Sequence, residues 1–302
     1  MRSLWKRFGL CLLCVFLIIA SGCGNNAGQQ KVVIASINTA ETQILSEMIK
    51  QLLEANLDIT VEHKRNFQGS SATQQALESG DVQMYNSYTG TQFTGVLGMA
   101  VTEEWKDRQK VYNYVRDKYH EKYGVKVFEP YGFNNTYIVA VRKEKAEQLG
   151  LKKTSDLATY ASKMTIVTDP TFMERKGDGW KEFAETYGLN FKDVKGMSYD
   201  LMYQALKNNE VDAAVAYSTD GRLVAYDLAT LEDDKSFFPP YDCALFIKED
   251  ILEKYPKIEE IVAPLIGAID EEIMSKLNSQ VDSENKEPAD VAKVYLKEKG
   301  LI

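Results

Sequence analysis

Two stretches of the chain repeat one pattern without a gap. Gln75-Ala76-Leu77, Asp81-Val82 and Tyr88-Thr89 align on Gln204-Ala205-Leu206, Glu210-Val211 and Tyr217-Ser218, every pair offset by 129 positions. Each copy reads as a helix, a polar turn and a strand, with a tyrosine and a hydroxyl residue at the strand's carboxyl end. Such ends are where open α/β sheets place ligands. The surrounding pattern agrees: Val32 to Ala35 reads as a buried strand, and Ile44, Leu45, Met48, Ile49, Leu52 and Leu53 recur at the three- and four-residue spacing of an amphipathic helix. Asn38 followed by Glu41 has the spacing of a capping box opening that helix. A strand at 59–64, helices at 71–79 and 102–123, a strand at 164–168 and helices at 180–187 and 200–208 continue an alternation of α/β units. The expectation is two α/β lobes, and 302 residues, 44% hydrophobic, suffice for two cores.

The amino terminus follows other rules. Arg2, Lys6 and Arg7 precede the apolar run Phe8 to Ala20, whose 13 residues fall short of the roughly 20 that span a bilayer as a helix. That pattern reads as an export signal. It ends in Ala20-Ser21-Gly22-Cys23, which is similar to a bacterial lipobox, with Ala20 where leucine is commonest. The similarity implies removal of residues 1–22 and acylation of Cys23, with residues 23–30 as a polar tether. The remaining 280 residues carry 33 basic and 44 acidic side chains, which excludes a nucleic-acid binder and leaves the lipid as the means of membrane attachment. Cys11 and Cys14 leave with the signal and Cys243 stands alone, so no intramolecular disulfide is expected.

Catalytic machinery is scarce. His63 and His120 lie in polar surroundings, read as surface residues and have no cysteine partner, against a metal site or a histidine-based triad. Tyr203 and Lys207 have the Tyr-x-x-x-Lys spacing of short-chain dehydrogenases, but no glycine-rich dinucleotide turn accompanies them. In Gly177-Asp178-Gly179 the lysine, Lys176, precedes the glycines, whereas a phosphate loop needs it after. No metal and no cofactor are expected.

Tyrosine stands out instead, with 17 in the chain. Tyr88 lies in Asn-Ser-Tyr-Thr-Gly-Thr, Tyr137 in Tyr-Gly-Phe-Asn-Asn-Thr-Tyr, Tyr217 in Ala-Tyr-Ser-Thr-Asp-Gly-Arg and Tyr241 in Phe-Phe-Pro-Pro-Tyr-Asp-Cys. These motifs, in this order and with Arg-Lys-Gly-Asp-Gly between them, resemble the glycine betaine, carnitine and choline binding proteins of osmoprotectant ABC transporters, the OpuC and ProX type. The resemblance runs from Lys31 to the C-terminus. It implies that Tyr88, Tyr137, Tyr217 and Tyr241 form a cage around a trimethylammonium head, and that Thr91 contacts the ligand's carboxylate end. One departure is Ile37, where relatives can carry a glutamine; Asn38 beside it is a substitute. Arg175 and Arg222, inside the shared motifs, read as structural ion-pair partners.

The chemistry of such a cage is clear. A quaternary ammonium has no N–H to donate, and a direct carboxylate partner would require desolvation of both ions. Aromatic faces contribute about 0.5–1 kcal/mol each when exposed and about 2 kcal/mol when desolvated. Four rings thus give roughly 4–8 kcal/mol against an association cost of at least about 4 kcal/mol, so the ligand's other end must also be held.

The resemblance further implies a two-lobed periplasmic-binding-protein fold, type II-like, with two crossover hinges. Lobe one would comprise residues 31–134 and 239–302 and lobe two residues 135–238, with Pro239 and Pro240 at the return crossover. The implied partners are a small quaternary ammonium solute, an ABC permease and its ATPase, and the membrane through the lipid, with the protein acting as a monomer on the extracytoplasmic face. Alternatives are the same scaffold with a non-quaternary ligand, an exported enzyme using Tyr203 or Lys207, or a purely structural lipoprotein.

Overall fold

The computed structural model describes residues 30–302 apart from residue 176. The export signal, Cys23 and the tether at 24–29 lie outside the described residues. Among the described residues no helix is long and apolar enough to cross a membrane.

Two five-stranded sheets organise the chain. The first contains β1 (Gln30–Ile37), β2 (Ile59–Phe67), β3 (Met84–Tyr88), β4 (Val125–Val127) and β10 (Cys243–Lys248) in the order β2-β1-β3-β10-β4. The second contains β5 (Tyr137–Arg142), β6 (Thr165–Thr168), β7 (Asp193–Gly196), β8 (Ala213–Tyr217) and β9 (Leu228–Leu231) in the order β7-β6-β8-β5-β9. The helices of eight residues or more are α1 (Ala40–Asn56), α2 (Ser70–Ser79), α3 (Arg108–Tyr123), α4 (Trp180–Tyr187), α5 (Tyr199–Lys207), α6 (Glu271–Asp282) and α7 (Pro288–Glu298). The repeated unit is α2–β3 in one sheet and α5–β8 in the other. In both sheets the repeat strand has a parallel neighbour on one side and an antiparallel one on the other: β1 and β10 for β3, β6 and β5 for β8.

Each lobe has its own core. Ile44, Leu45, Met48, Ile49, Leu52 and Leu53 on one face of α1 pack with β1, β10 and the C-terminal helices. Val139, Ile166, Phe172, Phe183 and Val215 anchor the core of the second sheet. The chain passes from the first sheet to the second between Val127 and Tyr137 and returns between Leu231 and Cys243. The two crossings pair with each other: Asn134 and Asp242 form an antiparallel bridge, and the Asn135 N–H donates to the Tyr241 carbonyl at 3.1 Å. This is the two-lobed, doubly crossed fold expected from the sequence.

Three local expectations are corrected. The helix expected over 102–123 is broken: a 3₁₀ turn at Glu103–Lys106 precedes α3, which is capped by Asp107 through the Lys110 N–H at 2.9 Å. The capping box of Asn38 and Glu41 does not form, because Thr39 caps α1 by accepting from the Thr42 N–H. His63 is not a surface residue; its side chain is 3% exposed, held between Glu47 at 2.7 Å and Ser36 at 2.8 Å. Burying it is tolerable because both ring nitrogens are hydrogen-bonded. His120, by contrast, is exposed as expected.

Candidate functional site

The strand ends bring distant tyrosines to one place. Tyr88 is the last residue of β3, Tyr217 the last of β8, and Tyr137, the first of β5, is directly opposite Tyr217 in the antiparallel ladder. Tyr241 lies on the return crossing just before β10, positioned by its own N–H donating to Asn134 Oδ1 at 2.5 Å. All four line a cleft of about 940 Å³, together with Thr91, Asn38 and Ile37. That volume is within the range of small-molecule sites. Thr91 closes the helical turn Thr89–Thr91 after Tyr88, and the Thr89 hydroxyl ties that turn to the Pro240 carbonyl at 3.2 Å.

The rings form a corner. Tyr137 and Tyr217 have centroids 4.8 Å apart at an interplanar angle of 36°, and Tyr241 stands edge-on to Tyr137 at 6.1 Å and 84°. Tyr88 packs against the cores of both lobes. Burial is the largest cause pushing all four phenols above the usual tyrosine range, so each ring is neutral at ordinary pH. The Arg175 guanidinium sits 5.3 Å from the Tyr137 centroid, so that ring already meets a cation.

The hydroxyls are occupied away from one another's faces. Tyr217 donates to the Tyr137 oxygen at 3.2 Å, Tyr241 to Asp178 Oδ2 at 2.7 Å, and Tyr88 to Glu41 Oε1 at 2.6 Å. Asp178 is also paired with Arg175 at 3.3 Å, and Asp220 with Arg222 at 2.8 Å, which are the structural ion pairs expected of those arginines. Both arginines nevertheless line the cleft.

Glu41 was missed in the sequence. It is 3% exposed and accepts from donors brought by separate parts of the chain: Tyr88, Asn135 at 3.0 Å, Thr219 at 2.6 Å and Asn278 at 3.1 Å. Burial raises its pKa above the ordinary carboxylate range, and the four hydrogen bonds oppose that shift. Its position three residues after Asn38 imitates a capping residue, which masked its inward orientation. A buried carboxylate so placed is a departure from a cage with no counter-ion nearby.

Tyr203 and Lys207 do not form a catalytic pair. Tyr203 is fully buried in the second lobe, while exposed Lys207 lies 4.2 Å above the Tyr226 ring. Cys243 is a buried free thiol whose pKa burial pushes up. Among the described residues no cluster of histidine, cysteine and carboxylate side chains could hold a metal.

Two α/β lobes joined by paired crossings, with a cleft of aromatic faces between them, define a solute-binding protein. The chain belongs to the family of substrate-binding domains of ABC-type glycine betaine transport systems, whose model matches residues 30–298. It is 37% identical over 294 residues to the carnitine transport binding protein OpuCC of Listeria monocytogenes, covering 96% of this chain and 94% of that one. It is 32% identical to the ergothioneine transport permease/ergothioneine binding protein EgtU of Helicobacter pylori, covering 95% of this chain and 52% of that one. A crystal structure of a glycine betaine/carnitine/choline ABC transporter component superposes with a TM-score of 0.82 at 36% identity, over 89% of this chain and 99% of the other.

Proposed function

We propose that this chain is the extracytoplasmic receptor of an ABC importer, anchored through an acylated Cys23, and that it captures trimethylammonium osmoprotectants in a cage of Tyr88, Tyr137, Tyr217 and Tyr241. The observation that carries this reading is the meeting of those four rings on one cleft, with the hydroxyls of Tyr88, Tyr217 and Tyr241 each donating a hydrogen bond. Delocalised positive charge on methyl groups matches such faces, and their apolar area matches the methyls. Thr91, on the same cleft after Tyr88, supplies a hydroxyl for the far end of a carboxylate-bearing solute. Closed lobes around the solute are the form a permease and its ATPase would read. No catalytic step is part of this function.

The test is calorimetric titration of the purified full chain with glycine betaine, carnitine, choline and ergothioneine, which share the trimethylammonium head. At least one binds, and Tyr217→Ala weakens it by about 2 kcal/mol or more, the contribution of one desolvated ring contact. Indifference to all four compounds would leave the scaffold with a non-quaternary ligand. Equal affinity of wild type and variant would remove the cage.

A further inference from the structure

Within the proposed cage, a charge-bearing group stands one hydrogen bond behind a ring. Asp178 and Asp220 have guanidinium partners, but every donor to Glu41 is uncharged: the hydroxyls of Tyr88 and Thr219 and the amides of Asn135 and Asn278. Each Glu41 oxygen accepts one hydroxyl and one amide donor. The Asn278 amide is held in this orientation by a second acceptor: its NH₂ group donates both to Glu41 Oε2 at 3.1 Å and to the Thr219 carbonyl at 2.8 Å. These donors oppose the rise in pKa that burial causes and suit the carboxylate form.

We propose that Glu41, which lines the cleft beside Tyr88, provides the counter-charge for the ligand's onium head, acting through the Tyr88 hydroxyl it holds. The inference rests on the quaternary ammonium reading above. A phenol that donates to a carboxylate takes on extra negative charge, and its ring face becomes a better seat for a cation. The field of the carboxylate, only 3% exposed, adds to this. Glu41 is already desolvated by folding, so the ligand gains from the charge without stripping water from a second ion. Glu41 is thus a positioning residue that makes the cage select a cation over a neutral body of the same shape.

The competing account is that Glu41 only ties the lobes together, since its donors come from both. The two are separated by choline and its uncharged carbon isostere 3,3-dimethylbutan-1-ol, whose tert-butyl group has the shape of the trimethylammonium head. The measured quantity is the ratio of the two dissociation constants for wild type, Glu41→Gln and Tyr88→Phe. Glu41→Gln is expected to weaken choline by roughly tenfold while leaving the isostere nearly unchanged, and Tyr88→Phe, which keeps the ring and cuts the link, to lower the preference in the same direction. An unchanged ratio in whichever of the two variants folds, whether both ligands weaken together or neither does, would overturn the proposal. Failure of wild type to bind any trimethylammonium compound would instead sink the functional reading beneath it.

Discussion

For a tyrosine to serve as a wall its hydroxyl must be satisfied and its ring fixed, and the hydroxyls of Tyr88, Tyr241 and Tyr217 find their partners in Glu41, Asp178 and Tyr137. Tyr241 is fixed by Gly90: a Cβ there would lie 2.5 Å from the Pro240 carbonyl oxygen and 2.8 Å from the Tyr241 ring. Gly90→Ala is therefore expected to displace Tyr241, destabilising the protein by about 1–3 kcal/mol and weakening ligand binding beyond that of a surface glycine control, read by thermal unfolding and calorimetry. The four tyrosines could be singled out in the sequence because each lies in a distinctive run of residues; Tyr88, Tyr137 and Tyr217 stand at strand ends and Tyr241 just before one, and all four line the cleft. Glu41 could not be. Its role depends on Thr219 and Asn278, 178 and 237 positions away, and no local pattern carries that information. Asn38 illustrates the reverse: its sequence suited a cap, but Thr39 has the extended backbone and takes the cap, leaving Asn38 on the cleft.

At the scale of elements, the apolar pattern located α1, which buries a continuous face, and β1, which is flanked on both sides, but half of the strands, β4, β5, β7, β9 and β10, and the helices α6 and α7 were not singled out. It failed where polar residues decide, as at Asp107, which ends one helical turn and starts another. It also missed the network joining α1 to β2. There Glu47 accepts from Arg65 and pairs with His63, both at 2.7 Å. Burial pushes the Glu47 pKa up, but the hydrogen bonds and charges of His63 and Arg65 outweigh it and hold the carboxyl at about 2. A depressed folded pKa stabilises above the unfolded value near 4.5 and ceases to do so as pH falls toward 2. Urea unfolding of wild type should therefore lose stability on the order of 2 kcal/mol more than Glu47→Gln between pH 5 and roughly 2. Parallel pH profiles for the two proteins would show that the network contributes nothing.

At the scale of the whole molecule, the lobes meet in a contact that depends on a missing side chain. Gly221 opens the short helix Gly221–Ala225 of the second lobe, and a Cβ there would lie 2.3 Å from Ser279 Cα in α6, which packs with α1 of the first. Beside it Asn278 donates both to Glu41 and to the Thr219 carbonyl, at 3.1 and 2.8 Å. Gly221→Ala should wedge the lobes apart. The expected result is at least about tenfold weaker ligand binding with the circular dichroism spectrum retained, and no ligand-induced compaction by small-angle X-ray scattering. Two lobes were legible from the 129-residue repeat, but the residues at which they touch were not, because contacts such as Gly221 with Ser279 exist only after both have folded.

The most direct measurement is a crystal structure of the protein grown with glycine betaine. The ligand nitrogen should lie within about 6 Å of the ring centroids of Tyr88, Tyr137, Tyr217 and Tyr241, with its carboxylate directed toward Thr91. A ligand lodged elsewhere in the cleft, or rings turned edge-on or away from the nitrogen, would contradict the cage on which the account depends.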